Sequence, residues 1–594
     1  MARRSLVDLA AGRRLASAPR PRRARGRFGL RKRSSANWPF VLGVGLVLFL
    51  LTVVPLAILL VSSFRPDGLP STPGWTIRHY VEIWGSARNW RLVANTLVFA
   101  VCSTFMAVVL ATGLSWLIER SDLPARHLFR SMILMPMATP PLLLAIAWAL
   151  ILAPRIGIVQ AALRPLIGPL DQWSGIYNMP GAIFVQTLAY VPTAVLMLSP
   201  SIRAFDPALE EAAAVSGASS WHVLWRIGLP LLRPALLSVT TILLIVSMLA
   251  FDVPSVIAIP GNVDLMSIEI YTLMTPPAGF PDYGGATAMN ALLFVMLIGG
   301  LVVYRRTTRW GARFATIRGK GYKPTEIRLG RWRTLACALV GLYFVLAVAM
   351  PFVALVWASV IPYFAGFSVA MLHRASLAAY ADLFASSQVW SAGLNSALIA
   401  GTAAACLTLL ALATAWIALR AKLRLAWLVD TLAMIPMGVP ALMIGVALVV
   451  VAFSLRFLGL YGTIWLIAIG HVIVFLPISS RMMQSGLLQI GSELEEAAAT
   501  AGATALQTFR QVILPLLKPA VVAMVIWVLV HSVREFSIAV MLQSGRNSVL
   551  STLLFNYWDT GSPDRAAALA VLLMLLLLAL VGVTAMLTPR KLEL

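Results

Sequence analysis

Two polar, alanine-rich stretches decide how this chain is built. EEAAAVSGASSWHVLWRIGLPLLRPA runs from Glu210 to Ala235, and EEAAATAGATALQTFRQVILPLLKPA runs from Glu495 to Ala520. The second stretch repeats the glutamates, the glycine and the Leu-Pro pair of the first at the same spacing. This repetition indicates a duplicated chain in which each half carries the same loop.

Apolar runs fill most of the remaining sequence. Of the 594 residues, 60% are hydrophobic and 12% are charged, whereas soluble domains are about half apolar and about a quarter charged. A helix needs about 20 mostly apolar residues to cross the hydrocarbon core of a bilayer. Twelve such runs occur, at 39–62, 92–118, 131–153, 180–200, 234–259, 286–304, 334–359, 391–419, 427–454, 463–480, 519–542 and 564–587. The sequence therefore predicts an all-α polytopic membrane protein with about 12 transmembrane helices.

The positive residues behind the net charge of +24 lie mainly outside the apolar runs. In a soluble protein it would favour nucleic-acid binding. Here twelve Lys and Arg residues precede the first run, and ten more lie from Arg305 to Arg333. Loops rich in Lys and Arg stay on the cytoplasmic side of a membrane. We therefore expect both termini in the cytoplasm, a basic N-terminal arm facing the lipid bilayer, and no nucleic-acid partner.

The duplication extends through the membrane runs. PMATPP from Pro136 corresponds to PMGVPA from Pro436 at a separation of 300, and the separation of 285 between the loops also pairs Phe251 with Phe536. Each half holds six runs, an even number, so both halves enter the membrane from the same side as parallel repeats. The predicted units are a basic arm at 1–38, a first membrane domain at 39–305, a basic linker at 306–333 and a second membrane domain at 334–594.

The repeated loop is predicted to form a helical hairpin outside the membrane. Pro207 opens the first helix, Gly217 or Gly502 breaks it, and Pro230 or Pro515 ends a second short helix. The second helix is partly apolar, which suits either a groove on a partner protein or the bilayer surface. The Glu, Gly and Pro positions are kept at one spacing, which is stricter than amphipathicity requires and favours a protein partner.

The loop resembles the EAA motif of membrane subunits of ATP-binding cassette importers, in which EAA is followed by three residues, G, nine residues, I, one residue and LP. The first copy matches every fixed position, and the second departs only at Val512, where the motif has Ile. The resemblance implies that each half docks one ATPase subunit through this loop. The residues assigned to the two ATPase-coupling loops are Glu210, Glu211, Ala212, Ala213, Gly217, Trp221, Ile227, Leu229 and Pro230, and Glu495, Glu496, Ala497, Ala498, Gly502, Phe509, Val512, Leu514 and Pro515.

The resemblance covers both halves and implies the type I importer permease fold, in the bacterial inner membrane. A fused pair of such domains is similar to the ferric iron permeases, and is also known for thiamine and some phosphonate permeases. The segment FDVPSVIAIPGNVDLMSIEIYTLMTPPAGFPDYGGA from Phe251 looks like the iron-type pattern. Ferric iron is therefore the first predicted cargo, with thiamine or a phosphonate as the alternatives.

The sequence lacks the parts that would make it an enzyme. No G-x-x-x-x-G-K-[ST] phosphate-binding loop occurs, and RGKGYK from Arg318 has neither the spacing nor the Ser or Thr. We therefore expect no cofactor on this chain, ATP hydrolysis on two copies of a separate ATPase, and an external solute-binding protein, as the resemblance implies. A secondary transporter driven by an ion gradient is the rival class, but it leaves the two EAA loops unexplained.

Charged residues at membrane depth are costly and should face protein or water. Asp252 follows Phe251, while Arg534 and Glu535 precede Phe536 in the corresponding run of the other half. We predict that these five residues lie near the translocation pathway. The structural alternative is that Arg534 and Glu535 pair with each other or with neighbours, and that Asp252 caps a helix break.

Two further features of the runs bear on the pathway. His471 and His531 belong to no metal-ligand pattern, so the sequence predicts packing histidines and no metal site. The third run of each half contains prolines four residues apart, which predict either helix breaks with exposed carbonyls along the pathway or packing kinks. These prolines are Pro136, Pro140, Pro436 and Pro440.

Overall fold

The computed structural model describes residues 38–154, 157–160, 175–204, 215–217, 222, 224–311, 329–362, 369–421 and 425–587. Regular secondary structure within these ranges is helical. The first half contains α1 (Trp38–Ser62), α2 (Arg78–Gly85), α3 (Ala87–Arg120), α4 (Arg126–Leu134), α5 (Pro141–Leu152), α6 (Met179–Arg203), α7 (Leu229–Met248), α8 (Asp252–Ile257), α9 (Met266–Met274) and α10 (Tyr283–Gly311).

The second half repeats this order. Its helices are α11 (Arg333–Phe344), α12 (Met350–Val360), α13 (Val369–Leu372), α14 (Ala378–Ala385), α15 (Ser387–Arg420), α16 (Ala426–Met434), α17 (Ala441–Ser454), α18 (Ile464–Leu488), α19 (Ser492–Thr500), α20 (Ala505–Thr508), α21 (Leu514–Arg534), α22 (Ser537–Leu542), α23 (Leu550–Asp559) and α24 (Pro563–Leu587).

The described helices agree with the predicted number of spans when each of two bent helix pairs is counted as one span. Ten described helices are long and apolar enough to cross a bilayer, and two bent helix pairs raise the number to twelve. The third span of each half is one of these pairs and turns by 96° or 107° at its centre. Thr139 and Val439, at the two bends, have extended backbones because each precedes a proline. The prolines thus produce breaks and not mild kinks.

The fifth span of each half also departs from the predicted continuous run. The run predicted at 234–259 ends at Met248 and restarts as the short helix α8. The run predicted at 519–542 ends at Arg534 and restarts as α22. In both halves the interruption leaves Phe251 or Phe536 outside the helices at the same place, and the charged residues Asp252, Arg534 and Glu535 lie beside it.

The two halves share their fine structure. Helices α3 and α15 each have 34 residues, and α6 and α18 each have 25. The side-chain amide of Asn95 donates to the carbonyl of Asp264 at 3.0 Å, and that of Asn395 donates to the carbonyl of Ser548 at 2.9 Å. Equivalent polar contacts at equivalent sites confirm that the duplicated sequence has a duplicated structure.

The first span of each half packs against the opposite half. Val41 and Leu48 of α1 lie in one buried cluster with Leu407 and Val429 of the second half. In return, the Tyr343 hydroxyl of α11 donates to the carbonyl of Leu188 at 3.3 Å. The predicted domains at 39–305 and 334–594 are therefore continuous in sequence but not separate in space. The first helix of each half packs against the other half.

Two predicted segments lie wholly or partly outside the described residues. The basic N-terminal arm at 1–38 enters the description only at Trp38, where α1 begins. In the predicted linker at 306–333, α10 continues to Gly311 and a short 3₁₀ turn occupies Gly330–Trp332. The structure therefore describes both ends of the linker, and residues 312–328 lie outside the description.

Candidate functional site

The second EAA loop places its two adjacent glutamates in different surroundings. Glu495 on α19 is partly buried and accepts a hydrogen bond from Nε of Arg420 at 2.7 Å. The same guanidinium donates to the carbonyl of Ile490 at 2.8 Å. Glu496 is exposed. Arg420, the last residue of α15, thus fixes α19 to the membrane helices and leaves Glu496 facing outward.

The turn after α19 has a glycine where the backbone requires one. Gly502 has φ +85°, and its counterpart Gly217 has φ +80°, in the left-handed region that favours glycine. Helix α20 then starts with a reciprocal cap, because the Thr504 amide donates to Oε1 of Gln507 at 2.8 Å and the Gln507 amide donates to the Thr504 hydroxyl at 3.3 Å. The predicted break at both glycines is confirmed.

The prediction that Pro515 ends a second short helix is wrong. A π-helical turn at Phe509–Ile513 joins α20 directly to α21, so one helical segment runs from Leu506 to Arg534. The first half has the same turn at Leu224–Gly228, ahead of Leu229 and Pro230. A proline removes one backbone donor and crowds the preceding carbonyl. The widened turn accommodates both effects without ending the helix.

The apolar residues of this segment divide into two groups. Leu506 is 74% exposed, whereas Phe509 is partly buried and packs edge-on against Trp416, with ring centroids 5.7 Å apart. The docking surface predicted for this helix therefore includes Leu506 and excludes the Phe509 ring. Ala497 is exposed, Ala498 is half-buried, and Val512 and Leu514 are partly buried at the membrane end.

The first EAA loop is described only in part. Gly217 is exposed, and Ile227, Leu229 and Pro230 are partly buried at the start of α7. Trp225, which lies between Gly217 and Ile227 in the sequence, is 55% exposed. The remaining predicted residues, Glu210, Glu211, Ala212, Ala213 and Trp221, lie outside the described residues.

A second set of predicted residues meets where the two halves face each other. Phe251 and Phe536 stack with ring centroids 5.6 Å apart and an angle of 17° between their planes. The Ser537 hydroxyl donates to Oδ1 of Asp252 at 3.0 Å. Both pairs join positions separated by 285, the separation that relates the halves here. Residues related by a two-fold axis touch each other only beside that axis, so these contacts mark the pseudo-two-fold axis of the molecule.

The axis is closed at this level. Phe251 and Phe536 are each 1% exposed. Tyr271 packs against Phe251 at 5.1 Å between ring centroids, and Phe555 packs against Phe536 at 5.0 Å. Since both halves enter the membrane from the same side, the axis runs along the membrane normal. A pathway along the axis is therefore blocked by these four rings in this structure.

Glu535 is held by the backbone and by a histidine. Its carboxylate accepts hydrogen bonds from the amides of Ile538 at 2.9 Å and Ala539 at 3.3 Å, which caps α22. His471 lies 3.3 Å from Glu535 through Nε2 and 2.7 Å from the Ser532 hydroxyl through Nδ1. Glu535 therefore has structural partners, as the alternative proposed. They are His471 and the backbone amides at the start of α22, and not Arg534.

Arg534 and Asp252 both have partners in the opposite half. Arg534 donates to the carbonyl of Met137 at 2.5 Å, inside the broken third span of the first half. The Asp252 carboxylate, on the first residue of α8, accepts from the Ser537 hydroxyl across the axis. Both charged residues therefore contact the opposite half.

The two histidines have different surroundings. His531 stacks on Trp527 at 4.1 Å between ring centroids and bonds to its carbonyl at 2.8 Å, as a packing histidine does. His471 is buried beside Glu535 and thus belongs to the polar cluster near the axis. In the part of the chain that the structure describes, no three His, Cys, Asp or Glu side chains converge as metal ligands.

Sequence reasoning missed Arg420 and Met137. Arg420 carried one usable signal, because Arg120 occupies the equivalent position in the first half. Met137 contributes only its carbonyl, so no side-chain pattern could have identified it. Its neighbours did carry a signal, since prolines at 140 and 141 remove the amides that would normally bond to this carbonyl.

On the side of the membrane opposite the EAA loops, an ion pair joins α3 to α9. Arg88 lies 2.8 Å from Glu269 and 3.9 Å from Asp264. Burial raises the pKa of Glu269 above its usual value, and the neighbouring Asp264 adds to this, while Arg88 opposes it. Glu269 lies on the same helix as Tyr271, which packs against Phe251 in the axial aromatic cluster.

Comparison with known proteins agrees with this architecture. The chain is 27% identical to the ferric transport system permease protein FbpB of Actinobacillus pleuropneumoniae, over 91% of this chain and 77% of that protein. It is 27% identical to a putative ferric transport system permease protein FbpB of Haemophilus influenzae, over 84% and 76%. It is also 28% identical to the trehalose/maltose transport system permease protein MalF of Thermococcus litoralis, over 45% of this chain and 94% of that protein.

One family model matches the chain twice, at residues 103–310 and 407–592. Neither match includes α1 or α11, the helices exchanged between the halves. Together with the helical architecture and its ten to twelve spans, the paired match confirms the predicted type I ABC importer permease fold. The chain belongs to the family of binding-protein-dependent transport system inner membrane components and carries the family domain in two fused copies.

Proposed function

We propose that this chain forms the membrane pathway of an ATP-binding cassette importer for ferric iron. An external binding protein delivers the cargo, two copies of a separate ATPase drive the cycle, and the EAA loops and both termini face the cytoplasm. Support for iron comes from the similarity to ferric permeases over most of the chain. The positive charge of the segments predicted to be cytoplasmic supports the orientation.

The observation that carries the proposal is a continuous mechanical link from each loop to the axis. One helical segment runs from Leu506 in the second loop to Arg534, and Phe536 on the axis is two residues farther along the chain. In the first half, the segment Trp225–Met248 leads to Phe251 in the same way. A displacement of either loop must therefore move the end of a span beside the closed axis.

The loops have the chemistry of docking elements. Glu496 is exposed on α19, and the ion pair of Glu495 with Arg420 holds this helix in place. Leu506 adds an exposed apolar contact. A rigid helix with one outward carboxylate and one apolar anchor suits a groove on a partner protein better than a lipid surface, where a carboxylate near anionic headgroups is unfavourable.

The charges near the axis bear on the class of cargo. Asp252 and Glu535 place two carboxylates beside the closed rings, with Arg534 as the accompanying cation. Carboxylates favour the passage of a cation such as ferric iron or thiamine, and they disfavour an anionic phosphonate. Iron thus ranks first on the similarity, and thiamine is the remaining alternative that the charges accommodate.

The test is uptake by proteoliposomes that contain the complete complex of this chain with its ATPase and its binding protein. We expect uptake of radioactive ferric iron that requires both ATP and the binding protein. Uptake of thiamine in place of iron would reassign the cargo. Uptake without the ATPase, driven by a proton or sodium gradient, would overturn the importer proposal in favour of a secondary transporter.

A further inference from the structure

One polar contact ties the charged turn of the second half to the broken span of the first. Arg534 ends α21, directly before the axial residues, and its Nη1 donates to the carbonyl of Met137 at 2.5 Å. We propose that this contact is a one-sided latch that holds the axial pathway closed and is released when α21 is displaced. This inference rests on the pathway assignment made above.

The Met137 carbonyl is available because of two adjacent prolines. In a regular helix this carbonyl would accept from the amide of residue 141, and in a 3₁₀ turn from that of residue 140. Both residues are proline and have no amide hydrogen. A carbonyl without a partner at membrane depth is costly. Arg534 supplies a charged donor from the opposite half.

The duplication provides an internal comparison, because the equivalent contact cannot form on the other diagonal. The counterpart of Arg534 is Leu249, which has no side-chain donor. The counterpart of Met137 is Met437, and it is followed by proline only at 440, since Ala441 carries an amide hydrogen. The free carbonyl and the arginine that binds it therefore occur together in the pairing of Met137 with Arg534. Both are absent from the equivalent pairing of Met437 with Leu249.

The surroundings of Arg534 favour the closed arrangement. Asp252, also in the first half, attracts the guanidinium electrostatically. Both partners of Arg534 thus belong to the half that α21 must move against. When α21 shifts, Arg534 leaves the carbonyl, and the stacked rings of Phe251 and Phe536 lose the brace beside them. A purely structural contact would be the same in the closed and open forms. The contact of Arg534 with Met137 is a latch because it is made in the closed form only and therefore favours that form.

The test measures leakage through this chain alone, so neither ATP nor a binding protein is needed. Proteoliposomes holding trapped calcein are mixed with Co²⁺, which quenches calcein on entry. We expect Arg534→Leu to raise the quenching rate about tenfold or more, because a charged hydrogen bond is lost from the closed form only. Arg534→Lys keeps a charged donor and is expected to remain close to the unchanged protein.

Arg481→Leu is the matched control. Arg481 is also an arginine on a membrane helix, but its partners Gln484 and Asp430 lie in its own half. It should leave the quenching rate unchanged. Equal leakage from Arg481→Leu and Arg534→Leu would overturn the latch, since loss of any membrane arginine would then suffice. An Arg534→Leu protein whose vesicles show no increase in the quenching rate would overturn the latch as well.

A second measurement covers the case in which Arg534→Leu is not recovered as a monodisperse protein. Cysteines at 251 and 536, in a background with Cys102, Cys337 and Cys406 changed to Ala, report the closed axis by disulfide formation. Arg534→Met, which keeps a long side chain without a donor, should slow this cross-link severalfold. An unchanged rate would overturn the latch. Because this readout needs no transport, failure of the import function itself would leave it intact.

Discussion

Phe251 and Phe536 occupy equivalent positions in the two halves of the chain, and their rings stack on each other with centroids 5.6 Å apart. Each ring is fully enclosed. The contact marks the pseudo-two-fold axis of the molecule and also closes it. Transport along the axis requires these two rings to separate.

A disulfide across the axis should therefore stop transport. With Phe251→Cys and Phe536→Cys combined in a background without the three natural cysteines, oxidation is expected to abolish ATP-dependent uptake, and a reductant should restore it. Each single cysteine variant serves as the control and should respond to neither reagent. Uptake that persists at full cross-linking would show that the cargo does not cross the membrane between these residues.

Substitution of the two glutamates of the second loop, Glu495 and Glu496, should have different effects. Glu496→Gln, combined with Glu211→Gln, is expected to uncouple ATP hydrolysis from transport, because the second loop loses its outward carboxylate and the first loop loses the equivalent glutamate. Glu495→Gln should instead loosen α19, since it removes the charged bond to Arg420, worth about 1 to 3 kcal/mol. Hydrogen exchange in Ser492–Thr500 separates the two effects. Normal coupling in the double variant would remove the docking assignment.

Asp252→Asn is the sharper test of the pathway charges. The amide oxygen can still accept from Ser537, so the contact across the axis survives while the charge is lost. We expect lower uptake of a cationic cargo with normal membrane insertion and thermal stability. Glu535→Gln is a less clean change, because Glu535 also caps α22. Unchanged uptake kinetics in Asp252→Asn would assign that residue a structural role.

Gly502→Ala should destabilise the second loop through its backbone alone. No atom lies within 4 Å of an added Cβ, but the residue has φ +85°, and the left-handed conformation costs a residue with a side chain about 1 to 2 kcal/mol. Gly401→Ala is the matched control, because its surroundings are equally open and it lies in the regular helix α15. Hydrogen exchange in α19 and α20 should rise in the first variant only. Equal exchange in both would contradict the argument.

The burial of Glu269 on the opposite side of the membrane predicts a pH dependence of stability. The raised pKa of Glu269 means that the folded protein holds a proton there that the unfolded chain releases near pH 4.5. Stability is therefore fully present below that pH and falls as the pH rises through the interval above it. Glu269→Gln should flatten this part of a Tm-against-pH curve. An unchanged slope would show that other groups cause it.

The sequence predicted the outline of this protein because its signals are local. Apolar runs of sufficient length must become membrane helices, since a bilayer leaves backbone amides no other partners. The duplication appeared directly as repeated residues at constant separations, and the prolines at 140 and 440 predicted helix breaks, one of the two outcomes they allowed. The turn at Gly502 was predicted for the same reason, because its backbone conformation is a property of the residue itself.

Contacts between distant segments could not be predicted in this way. The sequence offered Arg534 and Glu535 as a possible pair because they are neighbours, but Arg534 bonds to Met137 and Glu535 bonds to α22 and His471. Likewise, the separation of 285 between Phe251 and Phe536 showed that the residues are equivalent but not that they touch. Whether equivalent residues meet depends on where the axis passes, and the packing of the whole molecule decides that.

The sequence by itself thus determined the spans, the repeat and the two EAA loops, because each depends on the polarity or backbone of a short stretch. Only the tertiary structure decided that the first helices are exchanged between halves, that Glu495 and Glu496 differ, and that two phenylalanines close the axis. These features depend on distances between residues hundreds of positions apart. Such distances are set by the joint packing of all the helices, which no single stretch of the chain contains.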